Sequence, residues 1–241
     1  MSKIKLRIMQ DLVDFNNNKP DGIYLYTNKN NIFKNHALII GPKNTPYFGG
    51  NFIFEIDFPK NYPNSPPSVK LLTTNKTVRF NPNLYECGKV CLSILGTWNG
   101  PSWKKVMNIR LVLLSIQSLL NEFPVVNEPG FEDVTSDDEK SIEYNHYIIY
   151  YNYKIAIIEI INKLVKDDIT YINYFKNEII DEFKKNIKQL DDDIKSYQII
   201  IGEKKPKKVM YFMKNTNVLD FINLNLEFEK IKEIFSLSEL S

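Results

Sequence analysis

The residues with the clearest chemical potential are two thiols, Cys87 and Cys91, four positions apart in a chain of 241 residues. They are the only cysteines, so a disulfide framework of the kind found in small secreted proteins is excluded. Cys91 follows Gly88 and precedes the apolar stretch 92–95, which would pin the backbone on one side and leave the thiol open on the other. We therefore expect Cys91 to be exposed and reactive, and a buried sulfur would count against this interpretation.

Asn83 lies eight residues before Cys91, on a turn stiffened by proline. Its side-chain amide can face the oxyanion that forms at a carbonyl attached to sulfur. The two histidines, His36 and His146, fall in a predicted strand and a predicted helix, so we interpret them as structural and disfavour a Cys–His protease. Transfer of an acyl group between thioesters needs no strong base, because the two thiols have similar pKa values, and it fits these residues.

A zinc site is the other chemistry that two cysteines and two histidines could suggest. A Cys-x3-Cys pair with one distant histidine on each side matches no recognised zinc arrangement, so we expect neither a metal nor a cofactor. Cys87 is interpreted as a thiol of a polar loop rather than a second acceptor or a redox partner.

The elements that must position these residues can be predicted from periodicity. Apolar residues at helical spacing indicate a first helix. Four runs rich in β-branched and aromatic residues, with short links, indicate an antiparallel meander, and an apolar stretch capped by Asn108 indicates a central helix on the sheet. In the third run every second residue is apolar and the residues between them are mostly polar. This alternation predicts that one face of the strand is buried and that the other is wetter. The predicted helix bounds are 3–15 and 109–120, and the strand bounds are 23–27, 33–40, 51–58 and 68–73.

After residue 132 the pattern changes to an acidic connector and then helices over about 142–166, 169–190 and 218–235. We interpret the basic stretch Lys204–Lys208 as a solvated linker between helices. The predicted fold class is therefore α+β, with a catalytic core at 1–132 and a helical extension at 133–241 packed on or beside the core.

Charge and hydropathy exclude several classes of protein. Lys and Arg number 31 against 29 Asp and Glu, so the net charge of +2 indicates neither a nucleic-acid groove nor a polybasic membrane surface. No segment approaches the roughly 20 apolar residues that cross a membrane. We expect a monomer in the cytoplasm or the nucleus.

Five motifs follow one another along the chain: the basic first helix, Gly41-Pro42 to Gly49-Gly50, Phe58-Pro59 to Pro66-Pro67, Asn81-Pro82-Asn83 to Cys91, and Ser115 to Leu120. In this order they resemble the catalytic domain of ubiquitin-conjugating enzymes over residues 4–132. The stretches 96–103 and 127–132 resemble, more narrowly, the Z-type branch, whose members are long and carry a C-terminal helical extension.

The resemblance implies a role for each matching residue. Cys91 would accept the carboxyl terminus of ubiquitin, or of a ubiquitin-like protein, from the thioester of an activating enzyme. Asn83 would steady the transfer or its loop, and Glu128 would orient the incoming lysine. Asn81 stands where most relatives have a histidine, as it also does in the Z-type branch.

Lys3, Lys5 and Arg7 match the basic face that family members offer to the activating enzyme, although a solvated helix face is the alternative. Further partners implied are a ligase and a protein substrate, and ATP would be used by the activating enzyme. A second hypothesis is a non-catalytic binding module or a scaffold acting through the helical extension. Relatives without activity normally lack the cysteine.

Overall fold

A four-stranded antiparallel sheet in the order β1-β2-β3-β4 lies at the centre of the molecule. The structure is a computed structural model and describes residues 2–167, 169–213 and 217–237, with the side chains of 236 and 237 excepted. Neighbouring strands pair in simple register, with Ile23 opposite Ile39 and Ile39 opposite Phe52, so the predicted meander is confirmed. The strands are β1 (Ile23–Thr27), β2 (Lys34–Ile40), β3 (Asn51–Asp57) and β4 (Ser68–Leu71).

Two helices flank the inner face of the sheet, and both begin at side-chain caps. Ser2 Oγ accepts a hydrogen bond from the Lys5 amide at the start of α1 (Lys3–Asn17). Asn108 accepts one from the Leu111 amide at 3.0 Å at the start of α2 (Ile109–Leu119), as its position before the apolar stretch predicts. Neither helix is long and apolar enough to cross a membrane, nor is any other helix in the described part of the chain.

The C-terminal residues form a helical extension. The prediction of one helix over 169–190 is wrong, because Phe175 leaves helical geometry and buries its ring, and the helix that follows continues to residue 200. The extension also contains two short strands of two residues each that pair with each other, which the sequence did not predict. The elements are α3 (Glu139–Tyr151), a π-helical segment (Asn152–Glu159), α4 (Ile160–Val165), α5 (Thr170–Asn173), α6 (Lys176–Ile200), β5 (Glu203–Lys204), β6 (Leu219–Asp220) and α7 (Phe221–Leu237).

The extension covers the outer face of the sheet, which the alternation in β3 had led us to expect to be wetter. Ile53 on this face is fully buried. The Asn51 amide donates to the Ala156 carbonyl at 3.0 Å, and the Tyr26 ring stacks on Tyr174 with centroids 3.9 Å apart. The extension therefore covers the part of the outer face around Asn51 and Ile53, whereas Glu55 and Asp57 further along β3 stay half-buried.

Lys204, within the stretch interpreted as a solvated linker, forms a part-buried ion pair with the extension, whereas Lys205, Lys207 and Lys208 are exposed, as that interpretation expects. Lys204 forms an ion pair and hydrogen bond with Glu143, which is buried in α3, and Lys207 pairs with Glu139. The two pairs fix the segment after α6 along α3, because each joins residues far apart in sequence.

Candidate active site

The loop that carries Asn83 and Cys91 is anchored by Asn81. The Asn81 side-chain amide donates to the Tyr47 hydroxyl at 3.0 Å and to the Leu119 carbonyl at 2.8 Å, while its oxygen accepts from the Asn83 backbone amide at 2.9 Å. All of these groups are buried. Asn81 therefore joins the loop to the sheet and to the end of α2.

Asn83 and Cys91 are joined by two reciprocal hydrogen bonds. The Cys91 amide donates to the Asn83 carbonyl at 2.8 Å, and the Asn83 side-chain amide donates to the Cys91 carbonyl at 2.9 Å. The carboxamide thus holds the backbone of the cysteine rather than facing its sulfur. In this geometry Asn83 steadies the loop, and its role toward an oxyanion stays a prediction.

The expectation that Cys91 is open to solvent is wrong, because the residue is only 1% exposed. The half-buried Tyr85 side chain lies close enough to Cys91 for the two groups to interact electrostatically. Burial raises the pKa of the Tyr85 hydroxyl, which Arg79 opposes and Cys91 reinforces. Cys87, by contrast, is exposed. A carbonyl group can reach the Cys91 sulfur only after a local side-chain movement.

Arg79 is a residue of this site that the sequence reasoning missed. Its side chain is 4% exposed and donates to the Pro82 carbonyl. The guanidinium carbon lies 3.6 Å from the centroid of the Tyr85 ring and 4.1 Å from that of Phe212, which belongs to the extension. A charged residue between the buried Val78 and Phe80 was the available indication, but its partners are too distant in sequence to be inferred.

Glu128 lies directly after a 3-10 turn at Pro124–Asn127. Its Oε2 atom is 4.0 Å from Arg79 Nη2, buried, and without a hydrogen-bond partner among the described residues. Desolvation raises the pKa of the Glu128 carboxyl, and the Arg79 charge partly lowers it. The structure thus connects Glu128 to Cys91 through Arg79 and Tyr85.

The predicted basic face of α1 is divided by the structure. Lys3 and Lys5 are exposed. Arg7 instead donates to Asp11 at 2.8 Å and to two backbone carbonyls in the segment before α2, also at 2.8 Å each. Arg7 therefore fixes the position of α1 against that segment, and its predicted contact with an activating enzyme stays a prediction.

The histidines pack as parts of their elements. The His36 ring packs against Tyr171 and Tyr174 of the extension, and His146 lies in α3. Desolvation lowers the pKa of both imidazoles. In residues 2–167, 169–213 and 217–237, no group of three or more His, Cys, Asp or Glu side chains is placed to hold a metal ion.

A cleft of about 790 Å³ between β2, the end of α2 and α6 includes neither Cys91 nor Asn83 nor Glu128 in its lining. The candidate chemistry therefore lies outside this cleft, at a surface loop. Such a position suits a reaction whose reactants are carried on other proteins better than the enclosure of a small molecule.

Comparison with known proteins shows similarity of sequence over the part of the chain that carries the candidate site. The model of the family described as "Ubiquitin-conjugating enzyme" matches residues 7–148, which include the candidate site and most of α3. The chain is 48% identical over 158 residues to ubiquitin-conjugating enzyme E2 Z of Xenopus tropicalis, covering 65% of this chain and 50% of that protein. It is 48% identical over 155 residues to the human E2 Z protein, covering 64% and 44%.

A match of 47% identity over 132 residues joins the chain to the human protein described as "Dual E2 ubiquitin-conjugating enzyme/E3 ubiquitin-protein ligase BIRC6", covering 51% of this chain and 3% of that protein. The chain spans about half the length of the E2 Z proteins that it matches. The match of the family model extends beyond residue 132, and the predicted core boundary there stays a prediction.

Proposed function

This chain belongs to the ubiquitin-conjugating enzyme family, and we propose that its Cys91 carries ubiquitin or a ubiquitin-like protein as a thioester and passes it to a lysine or to a ligase. The observation that carries the proposal is the free Cys91 thiol, on a residue whose backbone is held by two hydrogen bonds to Asn83 within the matched domain. Glu128, linked to this loop through Arg79, supplies a buried acceptor oxygen.

In the loading step the Cys91 thiolate attacks the thioester carbonyl presented by an activating enzyme. A carbon–sulfur bond to Cys91 forms, the bond to the enzyme's sulfur breaks, and that sulfur leaves as a thiolate that takes up a proton from solvent. Because the two thiols have similar pKa values, the exchange is close to balanced and needs no strong base. A local movement must expose the buried sulfur before this attack, and we infer that the neighbouring Tyr85 is the side chain that moves.

In the transfer step a neutral lysine amine attacks the same carbonyl, a carbon–nitrogen bond forms, and Cys91 leaves as a thiolate. The nitrogen loses its extra proton to solvent or to a nearby base. Glu128 Oε2 can accept a hydrogen bond from the amine and orient its lone pair, because this oxygen is buried and has no hydrogen-bond partner among the described residues. An ionised carboxylate also favours the charged form of lysine, so desolvation of the amine must outweigh that attraction.

The partners follow from the same proposal. An activating enzyme supplies the thioester and uses ATP, and the exposed Lys3 and Lys5 of α1 offer it positive charge. A ligase and a protein substrate receive the modifier. We propose that the chain acts as a monomer in the cytoplasm or the nucleus.

The alternative, a non-catalytic binding module or a scaffold acting through the extension, is less well supported. Such a protein has no need of a cysteine at position 91 fixed by the Asn83 carboxamide. The extension also packs on the sheet and beside Arg79, which gives it contacts that a separate recruiting segment would not require.

The first prediction tests the carrier role. Incubation of the full chain with activating enzyme, ATP and ubiquitin, or a panel of ubiquitin-like proteins, should give an adduct that a reductant removes. Cys91→Ser should convert this adduct into an ester that resists the reductant, because an oxygen ester does not exchange with thiols.

Cys87→Ser is the matched control, since it removes the exposed thiol and leaves Cys91 in place. The Cys87→Ser variant should form the modifier thioester as well as the unaltered chain does. Formation of no adduct with any modifier, or loss of the adduct in Cys87→Ser alone, would overturn the proposal.

A further inference from the structure

Arg79 lies where three distant parts of the chain meet. Its guanidinium contacts Tyr85 beside the thiol, Glu128 after the 3-10 turn, and Phe212 in the extension. The arginine side chain is 4% exposed. Burial of a cation costs free energy of desolvation unless surrounding charges and rings compensate for the lost water. A buried arginine at this position therefore needs an explanation.

Packing alone does not explain the charge. The hydrogen bond to the Pro82 carbonyl occupies one end of the guanidinium, yet the Nε atom has no partner among the described residues. The contact with Glu128, at 4.0 Å, is an attraction between charges without a hydrogen bond. An apolar side chain would fill the space between Tyr85 and Phe212 at a lower desolvation cost.

A cation at this position attracts the Glu128 carboxylate electrostatically and stacks on the Tyr85 ring. Of those two groups, Tyr85 is a neighbour of Cys91. The extension contributes the Phe212 ring to the same guanidinium, and Tyr211 adds a hydroxyl 3.4 Å from Arg79 Nη1. The helical extension is thereby in direct contact with a residue that contacts the site.

We propose that Arg79 is a positioning residue for the transfer step, holding Glu128 in place and ionised for the incoming amine, and that Phe212 of the extension keeps Arg79 in this position. The inference rests on the proposed conjugating function and deepens it, because it makes the extension part of the active site.

The sign of the effect follows from the groups that face Glu128. Arg79 faces it from the loop before Asn81, and the buried Tyr144 faces both residues from α3. Arg79 favours the ionised carboxylate, while desolvation opposes it and raises its pKa. Removal of the Arg79 charge should therefore raise the pKa of Glu128 further and leave less carboxylate at low pH.

The first arm of the test uses the full chain with no modifier attached to Cys91. The pKa of Glu128 is followed by carboxyl carbon NMR in the unaltered chain, in Arg79→Gln and in Arg79→Lys. Arg79→Gln should raise this pKa, whereas Arg79→Lys should largely retain it because the positive charge remains. Lys188→Gln on the exposed face of α6 removes the same charge elsewhere and should have no effect.

The second arm starts from the chain that carries a modifier as the Cys91 thioester. It measures the rate at which the modifier is transferred to free lysine (discharge) in a single turnover at a series of pH values. Each unit by which the pKa of Glu128 rises lowers the ionised fraction by up to about tenfold at low pH. The Arg79→Gln variant should therefore discharge about tenfold more slowly at low pH, and the difference should narrow as pH rises. In a Glu128→Gln background, Arg79→Gln should no longer change the pH profile.

The third arm tests the extension. Phe212→Leu keeps an apolar side chain but removes the ring from the guanidinium, and it should show the same pH-dependent slowing to a smaller extent. Ile199→Ala, at a side chain 85% exposed on α6, is the matched control and should discharge normally. Thermal unfolding of each variant separates these effects from loss of the fold.

The outcomes are distinguishable. If the unaltered chain accepts no modifier, the proposed function is overturned and the transfer role of Arg79 falls with it. If it charges normally but Arg79→Gln leaves the Glu128 pKa unchanged, or slows discharge equally at every pH, the positioning role is wrong. A Phe212→Leu variant that discharges like the unaltered chain, while Arg79→Gln does not, would overturn the part assigned to the extension.

Discussion

At the scale of single residues, Tyr85 is the neighbour that we expect to control access to the Cys91 sulfur. Cys91 is 1% exposed, whereas Tyr85 interacts with it, is only half-buried and stacks on Arg79. A cover made by one aromatic side chain can open by rotation about two torsions, without unfolding of the loop. The arrangement protects a reactive sulfur while leaving a short path to an exposed state.

We predict that Tyr85→Ala makes Cys91 more reactive toward iodoacetamide. The rate should rise by about tenfold, equivalent to removing about 1.4 kcal/mol of opening free energy. The measurement is alkylation followed by mass spectrometry in a Cys87→Ser background, because Cys87 is exposed and would otherwise react first.

Tyr85→Phe keeps the ring and removes the hydroxyl, whose pKa the neighbouring Cys91 helps to raise. It should react at an intermediate rate. Equal rates for the unaltered chain and Tyr85→Ala would show that another group covers the sulfur.

At the scale of elements, the turn before β3 and the π-helical segment fit closely together. The Asn152 side-chain amide donates to the Phe48 carbonyl at 3.0 Å, and a Cβ at Gly50 would lie 1.9 Å from Asn152 Oδ1. The position of Asn152 therefore requires glycine at residue 50. This contact is one of those that seat the extension on the outer face of the sheet.

We predict that Gly50→Ala destabilises the protein by about 1–3 kcal/mol, because the added methyl group overpacks this contact. Urea unfolding measures the change. Since Asn152→Ala removes the clashing oxygen, the double variant should be more stable than the sum of the two single changes implies. Strict additivity of the two changes would show that Asn152 is not the obstacle.

At the scale of the whole molecule, core and extension share one hydrophobic cluster. It contains Phe52 and Ile53 of the sheet together with Ile157 of the π-helical segment and Phe228 of α7. A chain cut at residue 132 would leave the outer face of the sheet uncovered. The extension is therefore a structural part of the domain in addition to any role at Arg79.

We predict that core and extension unfold together. Both tryptophans, Trp98 and Trp103, lie in the loop after Cys91, so their fluorescence reports on the core, whereas far-UV circular dichroism reports mainly on the helices, many of which belong to the extension. The urea midpoints from the two measurements should coincide. A helical transition that occurs separately from the fluorescence change would indicate an independent extension.

The sequence alone determined the strands, the first and central helices and the family motif around Cys91, because periodicity, caps and turn residues act over short distances. It also predicted the helical character of the extension, although not the break at Phe175. The face that the extension covers, the burial of Cys91, and the meeting of Arg79 with Glu128 and Phe212 were decided by tertiary structure. Each of these joins residues that periodicity cannot relate, since the contacts depend on how separate elements pack.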